Sequence, residues 1–323
     1  MSGRIIGVDV GGTKVAAAAL EDGRLGEVSL TATETGQTER FVEQLAAVVA
    51  AHGEADAVGI AVPSVVDFAT GTARFSVNVP LRDVPLRTVL SERLGGVPVF
   101  VDNDATCAAL AEALDDDHRP VGRVVVMLTV GTGVGGGVVL DGRIFRGSTG
   151  AAPELGHMIV AADLTNGAPQ APKRFPHPAA LESHASGPTL DELGERRSIG
   201  KGPRVVERAR AGDPDAVDAL RVVGERLGVG IANVMNLFDP DLVVIGGGVS
   251  AAGELLRRPA EEAARRLTLP GVGTATRIAL ARHGVHAGVR GAALLAAQEL
   301  HATTGARAVP VDGAADRQPE RTA

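Results

Sequence analysis

The chain has 323 residues, room for two domains of ordinary size, and 45% of them are hydrophobic, enough for a sizeable core. A formal charge of −7 argues against a general nucleic-acid binder, and a single cysteine, Cys107, rules out a disulfide framework and a thiolate zinc cage and fits a reducing, cytoplasmic setting. No apolar run reaches membrane-spanning length without Gly or charge, and with Trp and Tyr absent any stacking on a ligand falls to seven Phe or to aliphatic and backbone surfaces.

In chain order, "RIIGVDV" (4–10) reads as a strand that ends in the glycines of "GGTK" (11–14). "VAAAAL" (15–20) follows as a second strand, "EDGR" (21–24) as an Asp-Gly turn and "LGEVSL" (25–30) as a third strand. "TERFVEQLAAVVAAHG" (38–53) has helical spacing and stops on Gly. "DAVGIAVP" and "VPVFVDND" read as buried strands, and "ATCAALAEAL" (105–114) as a helix. Strand, glycine turn, strand, Asp-Gly turn, strand then recurs in "RVVVMLTVGTGVGGGVVLDGRIFRG" (123–147), with Asp141-Gly142 in the place of Asp22-Gly23. One unit occurring twice predicts two similar α/β domains, 1–118 and 119–287, with a ligand cleft between them. Helices are expected at about 204–236, across "AAGELLRRPAEEAARRL" and over 288–301, with a strand in "DLVVIGGGVS" between the first two and a disordered tail at 302–323.

Three glycine clusters follow strands: Gly11-Gly12, Gly131 to Gly137, and Gly246 to Gly248. Each is either a tight turn or a cradle in which backbone N–H groups approach a phosphate. "GTGVGG" matches the dinucleotide fingerprint, but an apolar hairpin follows it where the fingerprint needs a helix, which disfavours a nicotinamide oxidoreductase. Asp9, beside Gly11-Gly12, is a turn cap or a carboxylate that holds Mg2+ through water next to a phosphate. Asp102, Asn103 and Asp104 precede a helix that needs only one cap. Asn103 can therefore serve a substrate hydroxyl, and Asp104 can take its proton during phosphoryl transfer.

On "GVDVGGTKV", "VFVDNDATCAALAEA", "TVGTGVGGGVVLDGRIFRGSTGAAPELGH", "ALESHASG" and "GIANVMNLFDPDLVVIGGGVS" the chain resembles the ROK family of sugar kinases and related repressors, nearest the bacterial ATP-dependent glucokinases. The resemblance implies an actin-like, ribonuclease-H-like α/β fold whose last helix returns to the first domain. It implies Mg2+ near Asp9, a first phosphate loop of Gly11, Gly12, Thr13 and Lys14, and a second of Gly131, Thr132 and Gly133. It also places Gly246, Gly247 and Gly248 at the nucleotide and Asp104 as the base. Asn78, Asn103, Glu154, His157 and Glu182 fall where the family holds sugar hydroxyls. A homodimer is expected from the resemblance alone. The family's repressors carry a DNA-binding domain ahead of the first strand, which here starts near Arg4, so neither a nucleic-acid nor a membrane partner is expected.

The family's cysteine-rich zinc loop is replaced by "NGAPQAPKRFPHP" (166–178), which supplies no thiolate. His157, His177 and His184 with a carboxylate could bind zinc, but their spacing does not specify it, and zinc is not expected. The favoured reading is a sugar pocket wall without its metal staple, in which His157 makes hydrogen bonds; a packed core histidine is the alternative. Ser64, Pro153 and the "NVPLRD" segment also depart from the family pattern on the sugar side. The leading expectation is transfer of phosphate from ATP to a hexose hydroxyl, with O6 of glucose favoured. Another hexose or an N-acetylhexosamine as acceptor, or a non-catalytic sugar sensor, remain the alternatives.

Overall fold

The computed structural model describes residues 3–303. Its first sheet is built from β1 (Ile5–Val10), β2 (Lys14–Glu21), β3 (Arg24–Leu25), β4 (Ser29–Ala32), β5 (Ala57–Val62) and β9 (Val99–Asn103). A small sheet of β6 (Val65–Asp67), β7 (Thr72–Phe75) and β8 (Arg82–Val84) lies between β5 and β9 in sequence. The second large sheet holds β10 (Val124–Val130), β11 (Val134–Leu140), β12 (Arg143–Ile144), β13 (Leu242–Gly246) and β14 (Arg277–Leu280). The first runs β3-β2-β1-β5-β9 and the second β12-β11-β10-β13-β14. In each, an antiparallel hairpin is followed by two parallel strands. The repeated hairpin is therefore one part of a duplicated five-strand unit, which is the actin-like, ribonuclease-H-like arrangement.

Local chemistry explains the elements. β5, "AVGIAV", is buried at every position, as a central parallel strand covered on both faces must be. In each large sheet the turn after the first hairpin, β2 to β3 and β11 to β12, runs through an aspartate in the left-handed region, Asp22 at φ 46° and Asp141 at φ 49°, as tight hairpin loops demand. The stretch expected as one strand at 25–30 is broken after Leu25, and its end joins β4, which pairs with β2 on its own. The small sheet had no counterpart in the sequence reading.

The helices are α1 (Thr38–Ala50), α2 (Leu86–Arg93), α3 (Asp104–Ala113), α4 (Glu182–Ala185), α5 (Gly187–Arg196), α6 (Gly202–Arg210), α7 (Pro214–Phe238), α8 (Glu254–Leu267) and α9 (Ala287–Thr303). The helix expected to end at 301 runs on through Ala302 and Thr303, and the rest of the expected tail lies outside the described residues. α3 and α9 share one apolar cluster with buried residues of both large sheets, so the two helices lie between the sheets. The approach is so close that a Cβ on Gly59 of β5 would overlap the Ala292 carbonyl of α9. Two further clusters fill the outer faces, one around α1 and α2, the other around α7 and α8.

Candidate active site

The carboxyl ends of β1, β5 and β9 come together, the place where open α/β sheets bind ligands. Asp9 stands at the end of β1 and Asp104 at the first turn of α3, directly after β9. Burial, with the Asp104 charge added, pushes the Asp9 carboxyl up to about 7. Burial also raises Asp104, against a hydrogen bond in which its Oδ1 accepts the Ala105 N–H at 2.8 Å. Asn103 is the helix N-cap: its Oδ1 accepts the Thr106 N–H at 3.1 Å, while its Nδ2 faces the Ser64 carbonyl at 3.4 Å. The cap and the cleft are thus both served by Asn103.

A cavity of about 590 Å³ opens over these residues. It gathers Gly11, Gly12, Asn78, Asn103, Asp104, Gly131, Thr132, Gly133, Glu154, His157, Glu182 and Gly247 from segments up to 236 positions apart, Gly11 to Gly247. Thr13, Lys14, Asp9, Gly246 and Gly248 do not line it. Lys14 is exposed at the start of β2, Asp9 lies behind the Gly11-Gly12 turn against Gly288 of α9, and Gly246 is buried at the end of β13.

Glu182, at the start of α4, is held by the second glycine turn: its Oε2 accepts the Val134 N–H at 2.7 Å. The turn itself is closed by the Gly131 N–H on the Gly133 carbonyl at 2.8 Å and tied to α5 through the Gly187 N–H on the Gly131 carbonyl at 2.7 Å. Glu154 precedes a short 3-10 turn that ends at His157. Burial raises its pKa, opposed by His157 and reinforced by Glu182 and Asp104. The His157 ring meets Phe175 edge-on at 5.8 Å between centroids. Ser64 fits its departure from the family pattern, since its hydroxyl donates to the Phe75 carbonyl at 2.8 Å and joins the ends of β6 and β7.

No group of three or more His, Cys, Asp or Glu able to hold a metal occurs among the described residues. His177 is occupied by its own loop: its Nδ1 accepts the Ala179 N–H at 2.9 Å and its Nε2 faces the Gln170 carbonyl at 3.1 Å.

A second cavity, of about 640 Å³, shares Gly131 and Thr132 with the first. Its other walls are mostly apolar, Pro188, Leu190, Pro203, Val206 and Val249 among them, with Asp191 the one charged residue. The glycine turn is thus a common wall between an acidic, polar chamber and a largely apolar one. That arrangement can hold a polyphosphate along the turn, with the flat faces of a base on one side and a polar acceptor on the other.

Three contacts escaped the sequence reading. Phe175 lines the first cavity from the loop that replaces the cysteine motif. Asp102, buried, pairs with Arg146 at 2.7 Å, and the Arg146 guanidinium lies 3.6 Å from the centre of the Phe68 ring. Glu112 binds the backbone of Arg282 and His283. None of the three has a local sequence signal, because each partner is remote in the chain.

A family model described as "ROK family" matches residues 5–299. An N-acetyl-D-glucosamine kinase of Vibrio cholerae is 33% identical over 305 residues, covering 90% of this chain and 98% of the relative. A glucokinase of Streptomyces coelicolor is 33% identical over 287 residues, covering 83% and 89%. The ROK family glucokinase of Streptomyces griseus, solved with glucose and AMPPNP, is 33% identical with a TM-score of 0.76, covering 91% of this chain and 99% of that one. No helix among the described residues is long and apolar enough to cross a membrane.

Proposed function

The chain belongs to the ROK family, and we propose that it is an ATP-dependent sugar kinase whose acceptor is the primary hydroxyl of a glucose-series hexose, either glucose or its N-acetylated 2-amino counterpart. The observation that carries this reading is the shared wall: Gly131 and Thr132 face both cavities, and Asp104 faces the first. ATP would lay its base in the apolar chamber and its phosphates along Gly131–Gly133 and Gly11-Gly12. The sugar would sit among Asn78, Asn103, Glu154, His157 and Glu182.

In the transfer, Asp104 accepts the proton of the sugar hydroxyl as that oxygen attacks the γ-phosphorus. The bond from the γ-phosphorus to the β,γ-bridging oxygen breaks, ADP leaves and the sugar phosphate forms. Burial raises the Asp104 pKa and so makes its carboxylate a stronger base than an ordinary one. The Ala105 N–H fixes the carboxyl's direction. Closure of the two sheets over the cleft would exclude water, which would otherwise compete for the phosphoryl group.

Asp9 fits a divalent cation. Its buried carboxyl and that of Asp104 disfavour each other's charge, and a cation between Asp9 and the phosphates relieves that penalty. Mg2+ held there through water would neutralise charge on the phosphate oxygens. A coupled ADP-release assay with Mg·ATP and a panel of hexoses and N-acetylhexosamines tests the proposal. Sugar-dependent ADP release supports it; a nucleotide-binding protein that phosphorylates none of them would instead be a sugar sensor.

A further inference from the structure

Two of the seven phenylalanines, Phe75 and Phe175, line the Asp104 cavity, and so does Val77. Phe175 is 76% exposed and Val77 85% exposed, so neither serves the core. They come from opposite parts of the chain. Phe75 ends β7 of the small sheet and Val77 follows it, while Phe175 belongs to the loop between His157 and α4. A single exposed apolar side chain is ordinary, but Phe75, Val77 and Phe175 all line one ligand-sized cavity, where a bound ligand can cover them.

The loop around Phe175 is built to hold it there. Two residues on, His177 accepts the Ala179 N–H through Nδ1 at 2.9 Å, and its carbonyl accepts the Ala180 N–H at 2.8 Å and the Ser183 hydroxyl at 2.9 Å. The Phe175 ring itself rests edge-on against His157. The polar residues of the cavity, Asn103, Glu154 and Glu182 among them, match the hydroxyls of any hexose, and its C–H face can rest on an aromatic ring, so what an apolar lip gains from one sugar over another is the extra apolar area of its substituent. An N-acetyl group offers a planar amide and a methyl, which an aromatic face covers well.

Resting on the kinase reading above, we infer that Phe175 is a specificity-determining residue of the sugar site, and that with Val77 it forms an apolar lip favouring an N-acetylated hexose over the unsubstituted one. One apolar group recognised in a pocket is worth about tenfold or more in kcat/KM.

The test is steady-state kinetics and calorimetric sugar binding for the wild type, F175A and F175L, with glucose and N-acetylglucosamine as probes. The wild type is expected to favour N-acetylglucosamine by about tenfold or more, F175A to cut that preference below about threefold mainly through the sugar's KM, and F175L to restore most of it. The KM for ATP should move less than that for the sugar, and the melting temperature should hold because the side chain is exposed. A wild type that prefers glucose, or an F175A that weakens both sugars equally, overturns the inference while leaving the kinase reading intact. If neither sugar is phosphorylated, the kinase reading fails, and the calorimetric preference still decides the role of Phe175. If neither binds, both fall.

Discussion

Glu182 and Gly133 stand so close that a Cβ on Gly133 would overlap the Glu182 carboxylate, which itself accepts the neighbouring Val134 N–H at 2.7 Å. The glycine at the centre of the turn is therefore required by a side-chain contact from α4, 49 positions along the chain. In the proposed site one acidic group shapes the phosphate turn and also faces the sugar. Gly133→Ala would drive Glu182 off Val134 and let the turn shift. A displacement on that scale is expected to cost on the order of 10²-fold in kcat/KM, with the melting temperature within a few degrees of wild type. Glu182→Gln, whose amide oxygen can still accept the Val134 N–H, should be milder than Glu182→Ala. Equal losses in those two variants would separate the turn from Glu182.

Asp104 is the second point at which the proposed chemistry can be cut. Asp104→Asn keeps the shape of the side chain and an oxygen for the Ala105 N–H, but it cannot take a proton. Loss of general-base help is expected to lower kcat by about 10²- to 10⁴-fold. Calorimetry should still show ATP binding, because the glycine turns are untouched. A variant with near wild-type turnover would remove Asp104 from the role of base.

Much of this site could be read from the sequence where the signal was local. The two hairpins announced themselves through strand patterns around glycine turns and through Asp22 and Asp141 at equivalent places. What could not be read was whatever depends on a partner far along the chain. Asn103 looked free for the cleft because its neighbours crowded one cap position, yet its oxygen is the cap. The run 25–30 looked like one strand, but after the Gly26 N–H bonds the Ala19 carbonyl the register slips, and pairing with β2 resumes only at Ser29 opposite Ala17. Phe175 lay in a segment whose composition signalled only a loop.

The buried carboxyl of Asp9 makes stability depend on pH in an unusual direction. With its folded pKa about 7, against 3.8 as the ordinary value, the native state holds a proton that the unfolded state has lost between those limits. Stability without a divalent cation should therefore fall as pH rises from about 4.5 to 7 and level off above, by at most about 4 kcal/mol from this group. Asp104, also raised by burial, contributes with the same sign. Carboxyls held low by hydrogen bonds and arginines, such as Asp67 and Asp218, lose their contribution only below their ordinary values, under this window. Urea unfolding in chelator at pH 5 and pH 7.5 tests the slope. Mg2+ should restore more stability at pH 7.5, where Asp9 binds it without giving up a proton; equal gains at both pH values would contradict the assignment of Asp9 to the cation.

The far end of α3 makes the last prediction. That helix begins with Asp104, and near its other end the buried Glu112 accepts the Arg282 N–H at 3.0 Å and the His283 N–H at 2.9 Å. Arg282 answers by donating Nη2 to the carbonyls of Glu112 and Leu114, at 2.9 and 3.0 Å. The chain passes between the two large sheets here twice, from α3 to β10 and from β14 to α9, so a single carboxylate ties both crossings together. Any closing of the cleft must bend these crossings as a pair. Glu112→Ala leaves two backbone donors without their acceptor and is expected to cost about 2–4 kcal/mol in urea unfolding. Glu112→Gln keeps one acceptor but turns an amide N–H toward a donor, and should lose less. Small-angle scattering with and without Mg·AMPPNP plus sugar gives the second readout, because decoupled crossings should blunt the compaction expected of the wild type. An alanine variant that unfolds and closes like the wild type would mean that the two crossings move independently of Glu112.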